Sequence, residues 1–197
     1  MRVVAVSQRV DKFPDRNEVR DALDQRLIAF LLTAGFIPVP VPNGYWSQTS
    51  LDDWLSAVKP KAFVLSGGND IGQSVERDLT EELLLNYAQK HQLPILGICR
   101  GLQMMVHWAG GDLQLIDGHI EVRHFLTGEI AGEVNSYHNY SIRACPSNFR
   151  ILARSEDGEI EAICHKSMPW EGWMWHPERE IFFSSRDIKR IRELFGG

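Results

Sequence analysis

No stretch of this sequence approaches the roughly 20 consecutive apolar residues that a membrane-spanning helix requires. Its first segment, Val3-Val4-Ala5-Val6, reads as a strand rather than as a basic stretch leading into a long apolar core. A cytoplasmic protein without a membrane partner is the expectation. Cysteine is also scarce. Cys99, Cys145 and Cys164 form an odd set without framework spacing, which excludes a disulfide-stapled scaffold and fits a reducing compartment. Positive charge is not in excess: 21 Lys and Arg stand against 26 Asp and Glu, a net charge of −5 that argues against nucleic acid as the main partner. Repeats, low-complexity tracts and linkers are missing too. The chain, residues 1–197, is therefore expected to form one domain, and 44% hydrophobic residues suffice for a substantial core.

What is present alternates between strand and helix patterns. After Val3–Ser7 and a polar loop, Asn17 is placed to cap a helix through Ala34, with Val19, Leu23, Leu27, Phe30, Leu31 and Ala34 recurring at three and four and Gly35 as the stop. Phe36–Val41 reads as a second strand whose prolines suggest an edge. Ser50-Leu51-Asp52-Asp53 opens a short helix, Ala62–Leu65 is a strand, and Thr80–His91 is a helix. Strands alternating with helices imply right-handed crossovers and a parallel sheet covered on both faces. From Asp112 the pattern turns to short strand-like runs, Phe149–Ala153, Glu159–Cys164 and Trp173–Trp175, before a closing helix over Asp187–Phe195. The tryptophans, four of them between residues 108 and 175, are read as core.

Three short motifs carry chemistry. Gly97-Ile98-Cys99-Arg100-Gly101 lies between the apolar Pro94-Ile95-Leu96 and the helical pattern from Leu102. A strand that turns sharply into a helix around one reactive side chain needs small neighbours, which is the logic of a nucleophile elbow, here with sulfur. The helix N-terminus then favours the thiolate. His176-Pro177-Glu178 follows an extended apolar stretch. Residues two apart in such a segment point the same way, so His176 can act as base with Glu178 orienting it. Ser66-Gly67-Gly68-Asn69 follows the strand Ala62–Leu65, and a glycine pair there exposes backbone N–H groups suited to an oxyanion.

These blocks, with Asp117-Gly118-His119, Val134-Asn135-Ser136-Tyr137-His138-Asn139 and Trp175-His176-Pro177-Glu178, resemble the class I glutamine amidotransferase superfamily and, within it, the γ-glutamyl hydrolase (peptidase C26-like) branch. The resemblance covers nearly the whole chain. It implies a flavodoxin-like α/β fold: a single three-layer domain, mostly parallel sheet, helices on both faces. It also implies hydrolysis of a γ-glutamyl amide through a glutamyl thioester on Cys99, with His176 and Glu178 completing a triad and the N–H groups of Gly68 and Arg100 forming the oxyanion hole. Gln103, Asn69 and the segment Ser136, Tyr137 and His138 would hold the substrate. Neither an organic cofactor nor a metal is implied. His119 and His124 stand five apart with no Cys or carboxylate pattern completing a metal site, and His119 is expected to order a loop.

The leaving group is a separate question. Polar residues after the first strand lie where α/β sheets bind ligands. Arg9, Arg16 and Arg20, with Asn17, Glu18 and the distant Lys166, are candidates to hold a phosphorylated group. This N-terminal signature resembles the hydrolases of bacterial capsule modification. It implies γ-glutamyl-CDP-amidate as substrate, split into glutamate and cytidine diphosphoramidate. Two alternatives stay open: a glutaminase component supplying ammonia to a separate synthetase, and a γ-glutamyl-γ-aminobutyrate-type hydrolase. A non-catalytic module on the same fold is the remaining one.

Overall fold

The computed structural model describes residues 2–44 and 47–196. Strand β1 (Arg2–Val6) is followed by β2 (Arg9–Phe13), β3 (Glu18–Ala22), α1 (Gln25–Thr33), β4 (Phe36–Pro40), α2 (Gln48–Val58), β5 (Ala62–Leu65) and α3 (Val75–His91). β6 (Ile95–Ile98) then leads into α4 (Arg100–Trp108). The second half holds β7 (Leu113–Leu115), β8 (Ile120–Gly128), β9 (Gly132–Tyr137), β10 (Tyr140–Ile142), β11 (Phe149–Arg154), β12 (Ile160–His165), β13 (Trp170–Trp173) and α5 (Ser185–Leu194).

The main sheet runs β4-β1-β5-β6-β13-β12-β11-β8-β9. From β4 to β13 neighbours are parallel, and an antiparallel extension continues from β12 to β9. Every residue of β5 and β6 is buried, as parallel strands covered on both faces should be. Alternate side chains divide between two cores. On one face Val4, Val6, Val64 and Ile98 meet Leu27 and Phe30 of α1 and Ile191 of α5. On the other, Ala5, Phe63, Leu65 and Ile95 meet Leu51 of α2, Leu84 of α3 and Met105 of α4. This is the expected three-layer α/β arrangement. β4, with Pro38 and Pro40, sits at the sheet's edge, where missing N–H donors cost no ladder bonds. Among the described residues no helix is long and apolar enough to cross a membrane.

One element differs from its expectation in kind. The helix expected from Asn17 begins only at Gln25, capped by the Asp24 side chain on Arg26 N. The residues before it form a two-stranded hairpin, in which Arg9 pairs with Ala22 and Phe13 with Glu18. Pro14–Arg16 make a single 3₁₀ turn and Asn17, at φ 48°, closes it in the left-handed region. Val19, counted toward the helical apolar face, is 60% exposed. Its spacing to Leu23 imitates a helix, while the alternation across 18–22 that a solvated hairpin permits carries no apolar signal. Strands β7 to β10 have no individual counterpart among the expected runs, and two further differences are of boundary: α3 starts at Val75 rather than Thr80, and β13 ends at Trp173.

Candidate active site

Cys99 stands at the junction of β6 and α4, at φ 49° and ψ −104°. A non-glycine residue held there is strained, and the surrounding packing must impose it. The packing does so through two glycines. A Cβ on Gly101 would lie 2.0 Å from the carbonyl oxygen of Leu65, and one on Gly97 would lie 2.7 Å from the Gly101 backbone. Cys99 N donates to Trp173 O at 2.7 Å, and Gln103 N donates to Cys99 O at 3.1 Å as the helix begins. The thiol is thus fixed at the carboxyl end of β6 with only 7% of the residue exposed.

Because β13 lies beside β6 in parallel, Trp173 opposite Ile98, the chain leaving β13 delivers His176 to the same sheet edge. His176 is buried and shares a hydrogen bond between its Nδ1 and Glu178 Oε1 at 2.6 Å. Its backbone is clamped by one side-chain amide: Asn135 Nδ2 donates to His176 O at 2.8 Å, and His176 N donates to Asn135 Oδ1 at 2.9 Å. Tyr137 packs edge-to-face on the imidazole, ring centroids 5.9 Å apart. Gly67 lies under the ring so closely that a Cβ there would come within 2.6 Å of Cε1.

Burial alone would pull the imidazole's pKa down. The charge and hydrogen bond of Cys99, then the hydrogen bond and charge of Glu178, outweigh it and raise His176 to about 9. Beside the thiol, the imidazole is therefore held toward its charged form. The folded pKa lies above the ordinary 6.5, so this contribution to stability is complete below pH 6.5 and is lost as pH rises through about 9. The His176 Hε1 resonance is expected to titrate near pH 9, with a clearly lower midpoint in Cys99→Ala. A midpoint near 6.5 in both proteins is the contrary result.

The glycine turn after β5 is held by charges buried beneath it. Arg77 Nη2 donates to Ser66 O at 2.7 Å and to Gly67 O at 3.0 Å, while its Nε donates to Glu81 Oε1 at 3.0 Å. Arg100 pairs with Glu81 and Asp78, and Ser7 Oγ donates to Glu81 Oε1 at 2.7 Å. Burial lowers the guanidinium pKa of Arg77 to about 10 and of Arg100 to about 9. Sequence reasoning missed Arg77, Glu81 and Asn135. The only signal for the first two is the i, i+4 spacing of Arg and Glu, and it straddles Thr80, where the apolar pattern puts the helix start.

A cavity of about 130 Å³ opens beside the thiol, lined among others by Gly68, Cys99, Arg100, Gln103, Tyr137 and His138. Asp70, which belongs to the block Ser66–Ile71 that resembles the family, and Arg179 line it as well, and the sequence assigns a role to neither. Gln103 is buried against Tyr140 O, to which its Nε2 donates at 3.3 Å. Three expected contacts are corrected. Ser136 turns away from the cavity, its hydroxyl donating to His119 O at 2.8 Å. The Asn69 amide is occupied by the backbone of Val10, accepting from its N at 2.8 Å and donating to its O at 2.9 Å. Lys166 lies at the opposite edge of the sheet, because it precedes β13 and that strand runs parallel to β6; its Nζ donates to Ser147 O at 2.7 Å.

The hairpin also divides the expected leaving-group residues. Arg9, at its base, lines two further cavities, one of about 70 Å³ that Gly68 also lines and one of about 470 Å³ that Asn69 also lines. Arg16 and Asn17 sit exposed at the tip, and Glu18 is paired there with Arg20 at 2.6 Å. Four residues of extended chain separate the tip from Arg9, roughly 14 Å. The structure brings Arg9 to the site and leaves Arg16, Asn17 and Glu18 outside it.

The family model for class-I glutamine amidotransferases matches residues 19–182. The chain belongs to this family. A γ-glutamyl-CDP-amidate hydrolase of Campylobacter jejuni is 35% identical over 68% of this chain and 70% of its own length. A glutamine-hydrolysing GMP synthase component of Pyrococcus furiosus is 29% identical over 76% of this chain and 80% of its own length. Among solved structures, a protein of Thermoplasma acidophilum described as a GMP synthase component superposes with TM-score 0.72 at 21% identity, covering 100% of this chain and 94% of the other. A shared fold does not fix a substrate. The features of this chain that bear on that choice are the hairpin and the cavities around Arg9.

Proposed function

We propose that this amidotransferase-family protein is a γ-glutamyl amide hydrolase whose leaving group carries phosphate. The observation that carries the reading is the line Cys99–His176–Glu178 at one sheet edge, with the imidazole hydrogen-bonded to the carboxylate at 2.6 Å and raised toward the charged form beside the thiol. In this mechanism the Cys99 thiolate attacks the γ-carbonyl carbon. The N–H groups of Gly68 and Arg100 stabilise the oxyanion, and the latter is one of the unpaired donors at the start of α4. His176 gives its proton to the departing nitrogen, leaving a thioester. It then takes a proton from water, which attacks the acyl carbon and releases glutamate. Glu178 keeps the imidazole oriented throughout. Asp70 and Arg179 supply opposite charges to the cavity, a match for the α-amino and α-carboxylate groups of a glutamyl moiety.

The leaving group would extend toward Arg9. Its guanidinium is half-exposed and pairs only with Asp11, at 2.8 Å among the described residues, so it can be recruited by phosphate. The similar hydrolase from C. jejuni supports γ-glutamyl-CDP-amidate as the substrate. The test is glutamate release from a panel of γ-glutamyl-CDP-amidate, γ-glutamyl-γ-aminobutyrate and glutamine. Clear preference for the first is expected. Arg9→Ala should then raise KM for that substrate about 10–100-fold, the range of a charged hydrogen bond, and leave glutamine turnover unchanged. Equal losses on all three substrates would place Arg9 elsewhere in the mechanism.

A second reading has its own support in the likeness to the GMP synthase component of P. furiosus: glutamine hydrolysis delivering ammonia to a separate synthetase. Turnover of glutamine that appears only when a synthetase is added would favour it.

A further inference from the structure

Behind the cavity wall that His138 forms, His119, His124, His138 and Glu161 converge in the antiparallel half of the sheet. One potential ligand atom from each lies within 4.8 Å of all the others. The residues come from far apart: His119 precedes β8, His124 lies on it, His138 follows β9, and Glu161 belongs to β12. His119, His138 and Glu161 are 2%, 3% and 0% exposed. Five polar atoms here are buried without a hydrogen-bond partner: His119 Nδ1, His124 Nε2, His138 Nε2 and both oxygens of Glu161. Such atoms are costly to bury unless something satisfies them.

The opposite ring nitrogens show what that must be. His138 Nδ1 is 3.0 Å from Tyr140 O, and a carbonyl only accepts, so Nδ1 carries the proton. His119 Nε2 is 2.8 Å from Asp157 Oδ2 and, by the same logic, is protonated there. With both rings neutral, their other nitrogens present lone pairs to Glu161 Oε1, from 3.4 Å for His138 and 3.6 Å for His119. Lone pairs facing a buried carboxylate repel unless a cation lies among them. Two added protons would make neighbouring imidazoliums of rings only 4.8 Å apart. A single divalent ion satisfies all the groups at once.

We propose that His119, His124, His138 and Glu161 bind one divalent transition-metal ion of the zinc class. Tetrahedral coordination at 2.0–2.2 Å puts ligand atoms roughly 3.3–3.6 Å apart. The two His–Glu separations already match it, and rotamer adjustment closes the rest. Asp157 behind His119 and Tyr140 O behind His138 are the outer partners that fix ligand tautomers in such sites. Four protein ligands in a buried position leave no place for substrate, so the ion is structural. It would join β8, β12 and the turn after β9. Through His138 it would also brace Tyr140 O, the acceptor of Gln103 in the cavity beside Cys99.

This inference rests on none of the proposed hydrolytic chemistry, and its test does not read activity. Purified protein, stripped with a chelator and titrated with Zn²⁺, is expected to bind one equivalent per chain and to melt about 5–10 °C higher when the site is well saturated. Cys99→Ser should bind as the wild type does, whereas His124→Ala should lose the equivalent and the shift. His124 is only partly buried, which favours folding of that variant. Independently, Co²⁺ bound to the wild-type chain should show four-coordinate visible bands without thiolate charge transfer. Absence of a stoichiometric site, loss of binding in Cys99→Ser, or a thiolate signature with cobalt would each overturn the assignment.

Discussion

Cys99→Ala is expected to lower glutamate release from any accepted γ-glutamyl amide by at least about 10⁴-fold, with the fold retained. The size follows from how nucleophile and base act as a unit: removing one leaves the other without a task, and only binding and oxyanion stabilisation persist. Cys99 is held by backbone bonds to Trp173 and Gln103, not by its sulfur, so the alanine variant should keep its far-UV spectrum and cooperative unfolding. Acid-quenched wild-type enzyme should carry a glutamyl adduct on the peptide containing Cys99, and the variant should carry none. Release at rates near wild type in the variant would remove Cys99 from the mechanism.

The largest effect on stability is expected at Glu81. Its carboxylate is fully buried between the guanidiniums of Arg77 and Arg100 and also accepts from Ser7. Removing it by Glu81→Ala leaves two buried cations with reduced compensation, a change that typically costs about 3–5 kcal/mol. The loss should appear as a lower midpoint in urea denaturation with the slope preserved. Activity should fall as well, because Arg77 is what ties Ser66 O and Gly67 O in place beneath His176. Glu81→Gln, which keeps one acceptor and the side chain's shape, should lie between. A loss below about 1 kcal/mol would mean that water or rearrangement replaces the carboxylate.

The contrast between these two residues explains what the sequence could convey. Cys99 is legible because an elbow demands a local pattern: apolar strand, small residues on both sides of the nucleophile, apolar helix. His176 and Glu178 are legible as a short motif, but not by extended geometry: Pro177–Arg179 form a 3₁₀ turn, and it is this turn that lets Glu178 Oε1 meet His176 Nδ1. The buried strands β5 and β6 announce themselves as short apolar runs. Arg77 and Asn135 act across the fold on backbone groups that strand order brings to them, and Glu81, beyond its i, i+4 bond to Arg77, reaches the side chains of Arg100 and Ser7, which spacing does not reveal. Lys166 misleads for the converse reason. Nothing in a loop's composition says which end of a parallel strand it abuts. The hairpin reads as helix because a solvated two-stranded ribbon buries little, so its pattern is free to imitate one. The proposed metal-binding cluster has no compact motif at all, as His119 and His124 acquire their partners only when the sheet order β12-β11-β8-β9 is assembled.

The pairing of β13 with β6 has a further consequence, for the order in which the molecule is made. Until residues 170–173 arrive, β6 has β5 on one side and a bare apolar edge on the other. The bond from Cys99 N to Trp173 O, and the delivery of His176, both wait for that insertion. The thiol is therefore synthesised long before the imidazole it meets. During that interval the thiol has no base beside it, and the chain carries an exposed strand edge of the kind that invites association. The placing of His176 beside the thiol and the covering of the β6 edge therefore come in the same step.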